Sequence, residues 1–144
     1  MTNKILVAVD GSETGKRAID FAAKEANDSG YDIVLAYVIE WTPYSFHTPE
    51  ELAERHNRRE SEVSRAEESL LVPEAARLTK SGLNVETVVR HGNIGETLSE
   101  IAKEYGVSEV YIGRLGESKV KTMLFGSVTA ALIQTSSVPV TVVP

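Results

Sequence analysis

The chain has 144 residues, of which 42% are hydrophobic and 25% charged, and its formal net charge is -6. These values are typical of one globular domain with a sizeable core, and the acidic balance argues against general nucleic-acid binding, which needs a basic surface. The absence of cysteine from the sequence excludes disulfides, thiolate metal sites and a cysteine nucleophile.

We expect one domain over residues 1–144, located in the cytoplasm and without a membrane or nucleic-acid partner. No apolar run approaches the roughly 18 residues that a membrane-spanning helix needs. The first residues also lack the basic flank, apolar stretch and cleavage site of a signal peptide.

Five apolar, β-branched runs alternate with four helical patterns along the chain. The predicted strands cover residues 5–9, 33–38, 85–89, 107–112 and 138–143. Several runs are almost continuously apolar, which is typical of strands covered on both faces. Strands that alternate with helices predict right-handed βαβ units and therefore a parallel sheet.

The helices are predicted at about residues 13–27, 49–80, 93 onward and 127–134. Ser12 is a plausible cap for the first helix, and Asn93 with Glu96 three residues later has the capping spacing for the third. In the second helix, residues 54–62 are almost wholly polar, which predicts that this half projects into solvent or reaches a partner. Pro73 predicts a kink or an interruption further along the same helix.

Glycines surround the loop that follows the predicted fourth strand. The strand runs into Gly113 and Gly116, and after nine further residues come Gly126 and Ser127 at the start of a helix. Glycine lets the backbone approach an anion closely, and the first N–H groups of a helix lack intrahelical partners. We therefore expect the N–H groups of Gly126, Ser127 and Val128 to hold phosphate oxygens.

A loop followed by a Ser-capped helix is the alternative interpretation of these glycines. Their spacing matches neither a Walker A box nor a Gly-x-Gly-x-x-Gly fingerprint. Because Gly-Lys-Ser/Thr occurs nowhere in the sequence, a P-loop ATPase or kinase is disfavoured.

The predicted strands end in further candidate ligand contacts. Asp10 follows the first strand, where a carboxylate can accept hydrogen bonds from ribose hydroxyls; the alternative is a role at the start of the next helix. Three apolar residues also end strands, namely Val9, Val38 and Ile112. They are either core residues or hold an adenine ring, and the second interpretation is considered because ligands bind at strand ends in open α/β sheets.

Other candidates are weaker. Three basic residues follow the first glycine, and they either offset triphosphate charge or form a solvated loop face: Arg114, Lys119 and Lys121. Three aromatic residues lie close together in the loop after the second strand: Trp41, Tyr44 and Phe46. They form a pocket lid, a partner surface or a cover for the sheet edge. His91 is favoured as a turn residue over a ligand contact, and no His/Asp/Glu group has metal-ligand spacing.

These patterns resemble the universal stress protein family, the UspA-type superfamily, and specifically its ATP-binding branch. The resemblance rests on ILVAVDGS at residues 5–12, on the spacing Gly113-x2-Gly116-x9-Gly126-Ser127, and on the closing run from Val138 to Val143. It covers essentially the whole chain. It implies an open five-stranded parallel sheet in the order 3-2-1-4-5 with helices on both faces, a Rossmann-like fold of the adenine nucleotide alpha hydrolase type.

The resemblance also implies a ligand and a partner. The ligand is ATP, or ADP or AMP, with Mg²⁺ as a possible companion of the triphosphate, and the partner is a second copy that pairs through Val138 to Val143. The implied contacts are adenine at Val9, Val38 and Ile112, ribose at Asp10 and Gly113, and phosphates at Gly116, Gly126, Ser127 and Val128. Arg114 departs from the small residue that the family usually carries there, and it either grips phosphate or blocks the groove.

The function that these patterns favour is a cytoplasmic ATP-binding regulatory protein of the stress response, with at most slow ATP hydrolysis because no general base is evident. A nucleotide-free interaction or dimerisation module is the main alternative, and Arg114 keeps it open. An ATP pyrophosphatase-like enzyme is less favoured, since Asp10-Gly11-Ser12-Glu13 does not match the Ser-Gly-Gly-x-Asp-Ser loop of those enzymes.

Overall fold

The computed structural model describes residues 3–40, 48–115 and 126–144. The strands in these ranges are β1 (Lys4–Ala8), β2 (Asp32–Glu40), β3 (Val85–Gly92), β4 (Glu109–Gly113) and β5 (Val140–Val143). The α-helices are α1 (Glu13–Ser29), α2 (Pro49–Ala66), α3 (Val72–Lys80), α4 (Ile94–Tyr105) and α5 (Ser127–Thr135), and a π-helical turn (Glu67–Leu71) joins α2 to α3.

The strands form one parallel sheet in the order β3-β2-β1-β4-β5, which confirms the predicted fold class. Strand β5 begins at Val140, so the prediction that it begins at Val138 was wrong. Pro139 has no N–H to give to the ladder, although its carbonyl oxygen accepts a hydrogen bond from the Val110 amide at 2.9 Å.

Helices cover both faces of the sheet, and successive residues of a strand belong to opposite layers. One layer packs α1, the π-helical turn and α3 against the sheet, and its buried residues include Ile5, Val7, Ile19, Leu71 and Leu78. The other layer packs α4 and α5 against the opposite face, and its buried residues include Leu6, Val34, Leu98, Ile101 and Leu132.

The predicted helix starts are confirmed. The Ser12 hydroxyl accepts a hydrogen bond from the Gly15 amide at 3.0 Å, and the Asn93 side-chain oxygen accepts one from the Glu96 amide at 3.0 Å. Each bond satisfies one N–H group that the first turn of a helix leaves without an intrahelical acceptor.

The second predicted helix is interrupted, as Pro73 indicated, but the irregularity begins earlier, at the π-helical turn. Pro73 itself lies in the first turn of α3, where a missing N–H is tolerated best. Residues 50–54 and 56–58 of α2 are exposed, which agrees with a polar half that projects into solvent. No helix in the described ranges is long and apolar enough to cross a bilayer.

Candidate functional site

A cleft of about 370 Å³ opens at the carboxyl ends of β1, β2 and β4. The chain leaves β1 toward β2 on one side and returns to β4 on the other, and such a reversal of strand order is where parallel α/β sheets bind ligands. The cleft is lined by Ala8, Val9, Asp10, Ala36, Tyr37, Val38, Glu40, Ile94, Leu98, Ile112, Gly113, Gly126, Ser127, Val128 and Thr129.

Most of the residues predicted to contact a ligand meet in this cleft. They are Val9, Asp10, Val38, Ile112, Gly113, Gly126, Ser127 and Val128. Arg114 is exposed and is not among the residues that line the cleft. Other predicted contacts lie outside the described residues, namely Gly116, Lys119, Lys121, Trp41, Tyr44 and Phe46.

One end of the cleft is apolar. Val38 forms its floor beside Ala36, and Ile94 and Leu98 of α4 form its wall. In the sequence, helical periodicity places Ile94 and Leu98 on one face of a helix and says nothing further of them. It carried no signal that α4 begins beside an open gap at the ends of the strands.

Asp10 is held in place by the turn that leads into α1. Its Oδ1 accepts hydrogen bonds from the Ser12 amide at 2.9 Å and from the Ser12 hydroxyl at 2.5 Å. A Cβ atom at Gly15 would stand 2.5 Å from the same oxygen, so a glycine there is needed for this arrangement. Asp10 therefore supports the helix start, as its alternative interpretation proposed, while its side chain also lines the cleft.

Gly113 lines the cleft, and packing against α1 requires a glycine at this position. A Cβ atom at this position would lie 2.7 Å from the carbonyl carbon of Thr14 and 2.8 Å from the Gly15 nitrogen. Both are backbone atoms of the first turn of α1, which cannot rotate away as a side chain can. The glycine thus lets α1 begin directly against the end of β4.

The first turn of α5 points its N–H groups toward the cleft. Gly126 is the N-cap residue, and no side chain of the described residues caps this helix, so the alternative interpretation, a Ser-capped helix, is wrong. The Gly126 amide donates to the Arg114 carbonyl oxygen at 2.8 Å. The donors without intrahelical acceptors are therefore those of Ser127, Val128 and Thr129, one residue further along than the predicted set.

Two buried threonines anchor the backbone around the cleft. Thr129 Oγ1 donates to the Gly113 carbonyl oxygen at 2.8 Å, and Thr14 Oγ1 donates to the Leu115 carbonyl oxygen at 2.6 Å. The Arg114 amide donates to the last carbonyl oxygen of β5 at 2.7 Å. The end of β4 is thus tied to α1, to α5 and to the neighbouring edge strand at once.

The described wall of the cleft carries two carboxylates, Asp10 and Glu40, and no lysine or arginine. No group of three His, Asp or Glu side chains in the described ranges is arranged to hold a metal ion. His91 lies within β3 and outside the cleft, so its interpretation as a turn residue was wrong. Its Nε2 is 3.2 Å from Glu62 Oε2 on α2. The positive charge that the described residues present to the cleft is therefore the dipole of α5.

The fold places the chain among open parallel α/β proteins with helices on both faces of the sheet, and sequence comparison defines the family. The chain belongs to the universal stress protein family, whose model matches residues 1–144. It is 28% identical over 150 residues to universal stress protein YxiE of Bacillus subtilis (strain 168), with 99% of both chains covered. A universal stress protein of Mycobacterium tuberculosis (strain ATCC 25618 / H37Rv) is 29% identical over 97% of this chain, which spans 47% of that longer relative.

Solved structures share the fold. The universal stress protein UspA from Lactobacillus plantarum superposes with a TM-score of 0.85 at 22% identity, covering 99% of this chain and 97% of its own. A universal stress protein in complex with cAMP has a TM-score of 0.64 at 23% identity, covering 99% of this chain and 96% of its own. One from Archaeoglobus fulgidus in complex with dAMP has a TM-score of 0.64 at 19% identity, covering 100% and 98%.

Proposed function

We propose that this chain is a cytoplasmic regulatory protein of the stress response that binds an adenine nucleotide, ATP in the first instance, in the cleft described above. The observation that carries the proposal is the order of chemical groups across three adjacent strands. An apolar pocket lies over the end of β2, a fixed carboxylate follows β1, and a helix N-terminus lies beyond β4. This order matches base, ribose and phosphate.

Each group has a defined role in this proposal. The base lies on Val38 against Ile94 and Leu98, which exclude water from its ring. The second carboxylate oxygen of Asp10 accepts from the ribose hydroxyls. The amides of α5 donate to phosphate oxygens, since the first turn of a helix combines unpaired N–H groups with the positive end of the dipole.

Two further observations support an adenine nucleotide and a regulatory rather than a fast catalytic role. Relatives of the same fold have been solved with cAMP and with dAMP. Glu40, a potential proton acceptor, lines the cleft at the end of β2, across β1 from the phosphate end. Glu40 is thus too far from the phosphates to activate water for their hydrolysis, and Asp10, the other carboxylate of the described lining, is engaged by Ser12 at one oxygen and accepts from the ribose at the other in this proposal.

Mg²⁺ fits this cleft only as part of a nucleotide complex. One oxygen of Asp10 is already engaged twice by Ser12, and the described residues hold no three-carboxylate or histidine group for a metal. Phosphate oxygens and water would coordinate the ion, as Mg²⁺ prefers in nucleotide sites.

The test is calorimetric titration with ATP, ADP and AMP, together with identification of any nucleotide that denaturation releases from the purified protein. We expect binding at about micromolar Kd, near -8 kcal/mol. Ser127→Asp is the matched variant, because a carboxylate at this exposed position stabilises a helix N-terminus but repels phosphate. We expect it to weaken ATP binding at least about tenfold without lowering the melting temperature.

Ser137→Asp is the control, since Ser137 is exposed and does not line the cleft. Equal ATP affinity in Ser127→Asp and the wild type would overturn the phosphate assignment. If neither protein binds any adenine nucleotide, the chain is better explained as a nucleotide-free interaction module.

We also propose that two copies associate through β5. This strand ends the sheet, and its Pro139 and Val143 carbonyl oxygens face β4, so alternation directs the N–H and C=O groups of Val140 and Val142 to the free edge. An unpaired edge of valines is a template for pairing with another strand. Antiparallel pairing of two β5 strands would satisfy these groups symmetrically.

A further inference from the structure

The Ser12 hydroxyl makes two directed hydrogen bonds in the turn between β1 and α1. Its oxygen accepts from the Gly15 amide at 3.0 Å. A serine hydroxyl has one proton to donate, and this proton goes to Asp10 Oδ1 at 2.5 Å. The Ser12 amide donates to the same carboxylate oxygen at 2.9 Å. Ser12 does not line the cleft, so any effect that it has on a ligand passes through Asp10.

Two glycines give this turn its shape. Gly11 has a φ of 81°, a left-handed conformation that glycine adopts without steric cost, and it lets Ser12 fold back toward Asp10. A Cβ atom at Gly15 would stand 2.5 Å from Asp10 Oδ1 and 3.1 Å from Ser12 Oγ. The space around the Ser12–Asp10 contact is therefore kept free of a further side chain.

The second carboxylate oxygen of Asp10, Oδ2, is left for a ligand. Both hydrogen bonds that Asp10 accepts from the described residues reach Oδ1. No buried side-chain oxygen of the described residues lacks a hydrogen-bond partner, so Oδ2 is open to solvent. Since Asp10 lines the cleft, Oδ2 is the acceptor that it offers there. The preceding backbone is fixed to the sheet, because the Val9 amide donates to the Ala36 carbonyl oxygen at 2.8 Å.

Building on the proposed nucleotide site, we propose that Ser12 is a positioning residue that makes the cleft selective for nucleotides with free sugar hydroxyls. Asp10 follows the central strand β1, between the apolar end at β2 and the helix N-terminus beyond β4, which is where the sugar lies. By holding Oδ1 with two donors, Ser12 restricts rotation of the carboxylate and presents Oδ2 to the sugar in one orientation.

Selectivity follows from the chemistry of a fixed carboxylate. An ionised carboxylate has only acceptors, and a hydrogen bond from a hydroxyl to it is charge-assisted and therefore stronger than one between neutral groups. A site built to bond a hydroxyl discriminates against an analogue that lacks it, because the acceptor loses its partner. A carboxylate that is free to rotate can turn toward water instead, and it discriminates less.

Ser12 also caps α1, and the two contributions can be separated by substitution. The cap is the acceptor side of the hydroxyl, whereas the proposed role uses its donor side. The backbone of Ser12 is extended (φ -76°, ψ 164°), a conformation that alanine, glycine and threonine also adopt. Alanine is a poor N-cap residue, glycine is nearly as good as serine, and threonine keeps the hydroxyl.

The experiment compares calorimetric titrations with ATP and with 2′,3′-dideoxy-ATP, which lacks both sugar hydroxyls. We expect the wild type to bind ATP about tenfold more tightly, as the loss of one hydrogen bond to a charged group predicts. In Ser12→Gly and in Ser12→Ala this ratio should fall toward one, and in Ser12→Thr it should stay at the wild-type value. Ser137→Gly is the control, because Ser137 is exposed and does not line the cleft.

The melting temperature distinguishes positioning from capping. We expect Ser12→Ala to melt clearly below Ser12→Gly, although the two variants share the same lowered ratio. A ratio that falls only in Ser12→Ala, or that is unchanged in both variants, would overturn the positioning role. Equal binding of the two nucleotides by the wild type would also overturn it, while leaving the nucleotide site intact. If the wild type binds neither nucleotide, the proposed site is rejected and this inference with it.

Discussion

At the scale of one residue, Gly113 shows how close packing of two elements requires a glycine. The space for a Cβ atom is taken by backbone atoms of Thr14 and Gly15 at 2.7 and 2.8 Å. We expect Gly113→Ala to lower the free energy of unfolding by about 2 kcal/mol, in the range of overpacked cores. Urea denaturation measures this difference directly through a shifted midpoint at unchanged slope.

Gly95→Ala is the matched control for this variant. Its Cβ atom would stand 3.2 Å from the Ala131 Cβ atom, a side-chain contact between α4 and α5. A shift of a few tenths of an ångström relieves it, and alanine is favoured over glycine within a helix by about 1 kcal/mol. We expect little net change. If Gly113→Ala and Gly95→Ala lose the same free energy of unfolding, the destabilisation at Gly113 does not come from contact with the backbone of α1.

Glu109 provides a pH-dependent test of the layer beneath α1. Burial, and then the negative charge of Glu25, raise the pKa of the Glu109 carboxyl. Ionisation of Glu109 is therefore disfavoured in the folded state. The resulting loss of stability is fully present above the folded-state pKa and disappears below the pKa of the unfolded chain. We expect Glu109→Gln to be more stable than the wild type at neutral pH and equally stable below about pH 4.

Chemical denaturation at both pH values checks this expectation. Glu54→Gln, on an exposed turn of α2, is the control and should match the wild type at neutral pH. Two results would contradict this expectation: a Glu109→Gln protein less stable than the wild type at neutral pH, or a stability difference that is the same at both pH values. Either would show that burial of the Glu109 charge does not destabilise the fold.

At the scale of elements, α5 is docked by one buried hydroxyl. Thr129 is 2% exposed, and its Oγ1 donates to the Gly113 carbonyl oxygen at 2.8 Å. We expect Thr129→Val to cost about 1 kcal/mol of stability, because the shape is kept and a buried hydrogen bond is lost. Thr135→Val on the same helix loses only exposed hydrogen bonds, to the Ala131 carbonyl oxygen and with the Ser99 hydroxyl, and should cost much less.

Rescue by Thr129→Ser makes this comparison specific. Serine restores the hydroxyl but removes a methyl group, so recovery of most of the lost stability would assign the effect to the hydrogen bond. If Thr129→Ser is as unstable as Thr129→Val, packing of the side chain rather than its hydroxyl holds α5 against β4.

The elements differ in how far sequence determined them. β1 and the starts of α1 and α4 were predictable, because continuous apolar runs and capping side chains are local signals. The beginning of β5 was not, since Pro139 contributes a carbonyl to the ladder without belonging to the strand. The π-helical turn before Pro73 was also missed: the sequence shows that an N–H is absent, but not how far back the helix adjusts.

Across the whole molecule, the site depends on which strand ends become neighbours. Asp10 and the start of α5 were predictable because each is a local terminus that points toward the same edge of a parallel sheet. Glu40 and Ile94 were not, because their place in the cleft follows from the register of β2 and from where α4 begins over the sheet. Likewise, only the fold revealed that the Gly126 amide is used by Arg114.

Each helical layer exposes a large apolar side chain. On α1, Phe21 is 56% exposed and lies one turn from Arg17, whose Nε donates to the Pro144 carbonyl oxygen at 2.7 Å. On α5, Ile133 is 46% exposed, and helical geometry places it opposite Ala131, the residue that contacts α4. Each layer therefore presents a large apolar side chain next to the unpaired strand.

We expect this edge to make the protein a dimer, and Phe21→Glu combined with Ile133→Glu to make it a monomer. Antiparallel pairing of two β5 strands would bring both side chains toward the partner copy, and like charges introduced there repel across a two-fold axis. Light scattering after gel filtration measures the mass. Leu52→Glu is the control, because Leu52 is also exposed (53%) but lies on α2. A wild-type monomer, or a dimer that only Leu52→Glu dissociates, would move the contact surface away from β5.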